Sequence, residues 1–179
     1  MGMLNLVPAE SAPKQERGLI LIGGPSRHHA FEEETLMSMI QRIPAERPAL
    51  SWDLTDSRRT PETFRTAIRN LNLNFHPSDQ CPDGWLLHSL MDAREVWVTE
   101  DSMSMIYEAL TARAKVGLLP MPRKSPRSRI VRSIDRLIAK GWTCLPDSRG
   151  LPELPTPPAI LHEASRCARE VLQRFPALA

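Results

Sequence analysis

The 179-residue chain is 41% hydrophobic and 25% charged, an ordinary globular composition with enough length for one domain and a sizeable core. A formal net charge of +2 implies neither a nucleic-acid nor a membrane-surface partner, and no apolar run approaches membrane-spanning length. Cys81, Cys144 and Cys167 are odd in number, scattered and without metal-ligand spacing, and no signal peptide is present, so the expected setting is reducing and cytoplasmic.

Taken in chain order, a polar leader over 1–17 precedes a strand over 18–24 and a helix over 30–43 with Leu36, Met39, Ile40 and Ile43 on one face. A strand over 49–54, a helix over 61–71, a short strand over 72–76 and a short helix over 84–91 follow. Next come strand 94–99, helix 102–113, strand 115–120, helix 128–140 stopped by Gly141, and a short strand over 142–145. Strict alternation of this kind predicts an α/β fold: a Rossmann-like parallel sheet with helices on both faces, occupying residues 18–150. A Pro-rich link then leads, within 151–179, to an amphipathic helix over 159–173 with Ile160, Ala164, Cys167, Ala168 and Val171 on one face. That helix is expected either to pack on its own domain or to cross to another lobe.

Three strand-to-helix turns carry the chemistry. The strongest is Val98 to Ala109, where an apolar run breaks into a helix and Ser102 falls at the N-cap. A helix start presents unpaired N–H groups and the positive end of the macrodipole, so an anion such as a sugar-nucleotide diphosphate can dock there. On that geometry Ser104 reaches a phosphate and Glu108, one turn deeper, takes ribose hydroxyls. The competing reading is a capped packing helix, and the acidic Glu100 and Asp101 count against a diphosphate unless cations offset them. Arg58 and Arg59, just before the helix start marked by Thr60 and Pro61, are the expected cations, because a guanidinium offers a planar fork to phosphate oxygens. The third turn, Gly23-Gly24-Pro25-Ser26, permits close backbone approach to a ligand but is neither a dinucleotide fingerprint nor a P-loop. One reading of His28 and His29 beside it is contact with a sugar or phosphate; the more usual one for vicinal loop histidines is simple exposure, and for zinc they lack a third partner close in sequence. The basic stretch 122–129 reads as bordering an anion site or simply solvated.

Ile-Gly-Gly-Pro-Ser-Arg-His (22–28), Asp-Ser-Arg-Arg-Thr-Pro (56–61) and Val-Thr-Glu-Asp-Ser-Met-Ser-Met (98–105), followed by Glu108-Ala109, together resemble the mitochondrial fission "elongated mitochondria" family of plants and bacteria, over roughly residues 15–145. That family looks like the GT-B class of nucleotide-sugar glycosyltransferases, and the chain resembles the C-terminal, donor-binding lobe. The pair Asp101-Ser102 with Glu108-Ala109 is also similar to the Asp-Ser and Glu-Ala string of UDP-N-acetylglucosamine 2-epimerases, in which the serine turn holds the diphosphate and the glutamate the ribose. Met103 and Ser104 stand where those epimerases have two glycines, and Ala112-Arg113-Ala114-Lys115-Val116 stands where the family has small-Gly-Lys-Pro-Val.

The resemblance implies a nucleotide-sugar-binding lobe whose substrate-binding residues are Gly23, Gly24, Ser26, Arg58, Arg59, Ser102, Ser104 and Glu108. It names no catalytic residue, no metal and no cofactor beyond a nucleotide-sugar donor. Residues 1–17 read as a leader or the remnant of an interdomain segment, and the acceptor-binding lobe is expected on a missing segment or another chain. A lobe of this kind alone is expected to be inactive as a transferase. The alternative is a non-catalytic interaction module of the fission-like family with a vestigial sugar-nucleotide site; an epimerase, which needs both lobes, ranks third.

Overall fold

A computed structural model describes residues 5–8, 13–147 and 150–175. Six strands form one all-parallel sheet: β1 (Gln15–Leu21), β2 (Ser51–Thr55), β3 (Asn74–His76), β4 (Ala93–Thr99), β5 (Lys115–Leu119) and β6 (Thr143–Cys144). Their spatial order is β3-β2-β1-β4-β5-β6. The helices are α1 (Glu33–Glu46), α2 (Glu62–Arg69), α3 (Trp85–Asp92), α4 (Met103–Thr111), α5 (Arg129–Ala139) and α6 (Glu163–Arg174). The expected α/β, Rossmann-like class is thus the observed one, and the chain lays β1 to β3 outward in one direction before α3 returns it to β4 on the other flank of β1.

The strands read as unbroken apolar runs because helices cover both faces. Successive side chains alternate between two cores: Leu19, Leu21, Val96, Val98, Val116 and Leu118 pack with α3, α4 and α5. Ile20, Ile22, Leu54 and Trp97 pack with Leu36, Ile40 and Ile43 of α1 and with Phe64 and Ile68 of α2. Inside the segment read as leader, β1 already begins at Gln15, Val7 is buried in the first core, and Asn5 Nδ2 donates to Thr111 Oγ1 at 3.0 Å. The Pro-rich link inserts Leu154 into the second core, where a side chain at Gly117 would collide with Leu154 and the Trp97 ring.

Element boundaries moved where loops claimed residues. The helix expected from residue 30 begins at Glu33, because Ala30 N–H donates to Pro122 O at 2.8 Å and His29 bridges Arg123. The last helix begins at Glu163 rather than 159, and the His162 ring accepts from the Ser165 N–H at 3.1 Å as its cap. None of its residues is buried, so of the two expectations for α6, packing on its own domain is limited to the approach: Leu161 against the first core and His162 Nε2 beside Val7 O at 3.1 Å.

Two helices end in the same device. After α5, Gly141 N–H bonds to Ile138 O and Trp142 N–H to Leu137 O, with Gly141 at φ 69° as expected of a helix stop. After α4, Arg113 N–H bonds to Leu110 O and Ala114 N–H to Ala109 O, and Arg113 itself sits at φ 62°. Arg113 therefore occupies the left-handed position that favours glycine.

Candidate functional site

Beyond the carboxyl ends of β1 and β4 the strand order reverses, which opens a crevice in such sheets. The loops after β1, β2 and β4 converge on this rim. Gly23 N–H donates to Thr99 Oγ1 at 2.7 Å and Gly24 N–H to Asp101 Oδ2 at 3.2 Å. Thr60 Oγ1 donates to Gly23 O at 2.6 Å and accepts from the Ser57 N–H at 3.0 Å, so it ties the second loop to the first rather than capping α2, whose N-cap is Pro61. A Cβ at Gly23 would collide with the Asp101 carboxylate, and one at Gly24 with the carbonyl of Arg59. Both glycines are thus needed for loop-to-loop packing, and that packing fills the space a ligand backbone contact would use.

Each acidic residue at the rim has its own cation. The Asp101 side chain is 0% exposed and its Oδ2 lies 2.7 Å from Arg59 Nη1, while Arg59 Nη1 also reaches Gly24 O at 3.3 Å. Glu100, 2% exposed at its side chain, accepts from Arg123 Nε at 2.9 Å, from Arg123 Nη2, and from the Met121 N–H at 3.2 Å. Asp56 is held by Arg65 and by the Ser78 N–H at 2.7 Å. The expectation that Arg58 and Arg59 jointly offset Glu100 and Asp101 is therefore corrected: Arg59 serves Asp101, Arg123 serves Glu100, and Arg58 is exposed with no ion pair among the described residues. The cause is strand adjacency, since β5 neighbours β4 and its following loop, not the one after β2, lies beside Glu100.

His29 is buried, not exposed, and neither of its ring nitrogens has a hydrogen-bond partner among the described residues. Burial holds its ring below the usual imidazole range, against the pull of Glu100 and Asp101. Ser26 is turned inward on its own loop: its Oγ accepts from the N–H groups of His28 at 3.2 Å and His29 at 3.0 Å. The remaining predicted residues line the start of α4. Ser102 takes the N-cap position without a side-chain capping bond, Ser104 is exposed on the first turn, and the first helical backbone bond runs from Ile106 N–H to Ser102 O at 3.1 Å. The side chain of half-buried Glu108, one turn on, has no hydrogen bond or ion pair among the described residues, and burial pushes its carboxyl above the ordinary range. No group of three His, Cys, Asp or Glu side chains suited to a metal occurs among the described residues, and none of their helices is long and apolar enough to cross a membrane.

The family model described as mitochondrial fission ELM1 matches residues 5–175. The chain belongs to the mitochondrial fission ELM1 family. No curated protein matches the sequence. Among solved structures, AnUbiX (PadA1) in complex with FMN and dimethylallyl pyrophosphate is similar at 13% identity over 73% of this chain and 77% of that one, with a TM-score of 0.44, a likeness too coarse to argue from.

Within this ELM1-family chain, reading along the sequence passed over Thr99, Thr60 as a tie and Arg65, and took Arg123 only as part of the basic stretch 122–129, not as the partner of Glu100. Arg123 was legible in principle: it follows β5 as Glu100 follows β4, and neighbouring parallel strands deliver their loops to the same place. Asp56 with Arg65 carried no such signal, because the contact between the loop after β2 and the first turns of α2 is a matter of side-chain placement that spacing does not specify.

Proposed function

We propose that this ELM1-family chain is the nucleotide-sugar-binding lobe of a GT-B-like glycosyltransferase relative, taking a donor diphosphate at the start of α4. The observation that carries this reading is the N-terminus of α4 opening at the topological switch point with no side-chain cap on its free N–H groups. Ser102 and Ser104 then add hydroxyls to the phosphates, and Glu108, unpaired and one turn deeper, accepts from ribose hydroxyls. Gly23, Gly24 and Ser26 contribute by fixing the wall of the crevice, Arg59 by holding Asp101, and exposed Arg58 by its charge at the rim. An acceptor-binding lobe, supplied by another segment or another chain, would complete a transferase; this lobe alone is read as inactive.

A second reading, a non-catalytic interaction module with a vestigial site, is favoured by two observations: Arg59 is already committed to Asp101, and both glycines are closed by neighbours. Calorimetric titration with UDP, GDP, ADP, CMP and their sugars separates the two. Binding of one nucleotide, lost in Ser104→Ala with Glu108→Ala while the fold stays intact, supports the first; no heat from any of them at millimolar concentration supports the second.

A further inference from the structure

A groove of about 560 Å³ lies away from the switch point, on the outer side of α5, lined by Arg129, Arg132, Arg136 and Lys140 with Tyr107, Trp142 and Leu161 as its apolar part. The four cations recur at spacings of three, four and four residues and so form one row along the helix. All four are exposed and none makes an ion pair among the described residues, as is also true of scattered exposed arginines such as Arg58 and Arg69; what sets these four apart is that they share one helix face. Glu163, the acidic group near Tyr107, is taken by Arg166. Like charges at these spacings repel, and Arg129 in the first turn of α5 also opposes the helix dipole. The dipole favours Arg136 in the last turn and Lys140 at the C-cap, so the cost lies in the mutual repulsion and in Arg129, and a bound anion would relieve both.

We propose that this groove binds an extended acidic segment of a partner protein, with acidic residues at alternate positions and apolar residues between them. The spacing favours a chain over a compact anion. Four cations over eleven helical steps span about 16 Å, with a pitch of about 6 Å between the last three. Alternate side chains of an extended peptide recur every ~6.7 Å, so successive carboxylates meet Arg132, Arg136 and Lys140 in turn while the intervening side chains face Trp142 and Leu161. The near-balanced charge of the whole chain argues against nucleic acid, which needs a far larger basic surface.

The test is fluorescence anisotropy of the full chain with a labelled nonapeptide alternating glutamate and leucine, against a peptide of the same composition with its glutamates in one block. Expected is tighter binding of the alternating peptide, weakening with salt, and lost by about tenfold or more in Arg132→Glu with Arg136→Glu, both exposed positions whose folding is checked by circular dichroism. Arg69→Glu, an exposed arginine on α2, should leave it unchanged. Equal affinity for both peptides, no binding, or an equal loss with Arg69→Glu overturns the proposal. So does binding of the chain to vesicles containing phosphatidylserine, lost on the same double reversal, when the peptide does not bind.

Discussion

Replacing Arg59 by alanine separates a structural cation from a ligand-binding one. Asp101 keeps only the Gly24 N–H at 3.2 Å once Arg59 is gone, and its Oδ1 is buried without a partner. Removing one member of a buried ion pair costs about 3–5 kcal/mol, because the remaining charge is left desolvated. Arg59 is 45% exposed, so water reaches the vacated side, and the expected loss is about 2–3 kcal/mol. For a domain of this size that lowers the melting temperature by about 4–12 °C. Urea unfolding followed by tryptophan fluorescence measures it, with Arg58→Ala as the comparison, since Arg58 has no ion pair among the described residues and its loss should cost under about 0.5 kcal/mol. In an Asp101→Asn background the neutral amide needs no counter-charge, and Arg59→Ala should then cost less than about 1 kcal/mol. If Arg59→Ala and Arg58→Ala shift the midpoint equally, the ion pair is not what holds the second and third loops together.

Arg113→Gly should raise stability by about 1 kcal/mol by removing the left-handed strain after α4, read as a higher urea midpoint at unchanged slope. Gly23→Ala should destabilise by more than about 2 kcal/mol, since the added methyl meets the Asp101 carboxylate; a neutral result would mean that the rim yields easily. Glu108 has its folded pKa raised by burial, so the unfolded chain loses its proton first and stability falls as pH rises from the ordinary glutamate range through the folded value. Glu108→Gln should therefore be more stable than the parent at pH 7 and no different below the ordinary range, as read by thermal melts across pH; a difference that persists at low pH would locate the effect elsewhere.

What could be read in the chain was set by periodicity. The strands are buried on both faces and the helices on one, so apolar runs and 3.6-residue stripes located every element to within a few residues, and the punctuation by Thr60-Pro61 and Gly141 placed helix ends. The three turns were also legible as a group, because a parallel sheet sends every strand-to-helix turn to one edge. Their internal chemistry was not. Which arginine faces which carboxylate depends on strand order, and order is a tertiary fact: once β5 lies beside β4, Arg123 becomes the partner of Glu100 and the arginine pair after β2 is split between Asp101 and solvent. His29 was misread for a related reason. Vicinal histidines look like loop surface until the loop after β5 covers one of them, with Ala30 N–H on Pro122 O and Lys124 N–H on His28 O.

The paired carboxylates also bear on how an anion would be received. Asp101 with Arg59, Glu100 with Arg123 and Asp56 with Arg65 each cancel over a few ångströms, so a diphosphate a further several ångströms away meets weak dipoles rather than two bare negative charges. The repulsion foreseen from Glu100-Asp101 in the sequence is thereby removed without spending Arg58, and Lys124, which reaches Ser26 O at 3.3 Å, adds a second cation to the same wall. Two rim cations and a helix end carrying roughly half a positive charge match a diphosphate of about two negative charges, with little surplus. On this balance affinity comes from hydrogen-bond geometry at α4 more than from net charge. The serines at 102 and 104 and the carboxylate at 108 therefore weigh more in the proposed site than the arginines after β2.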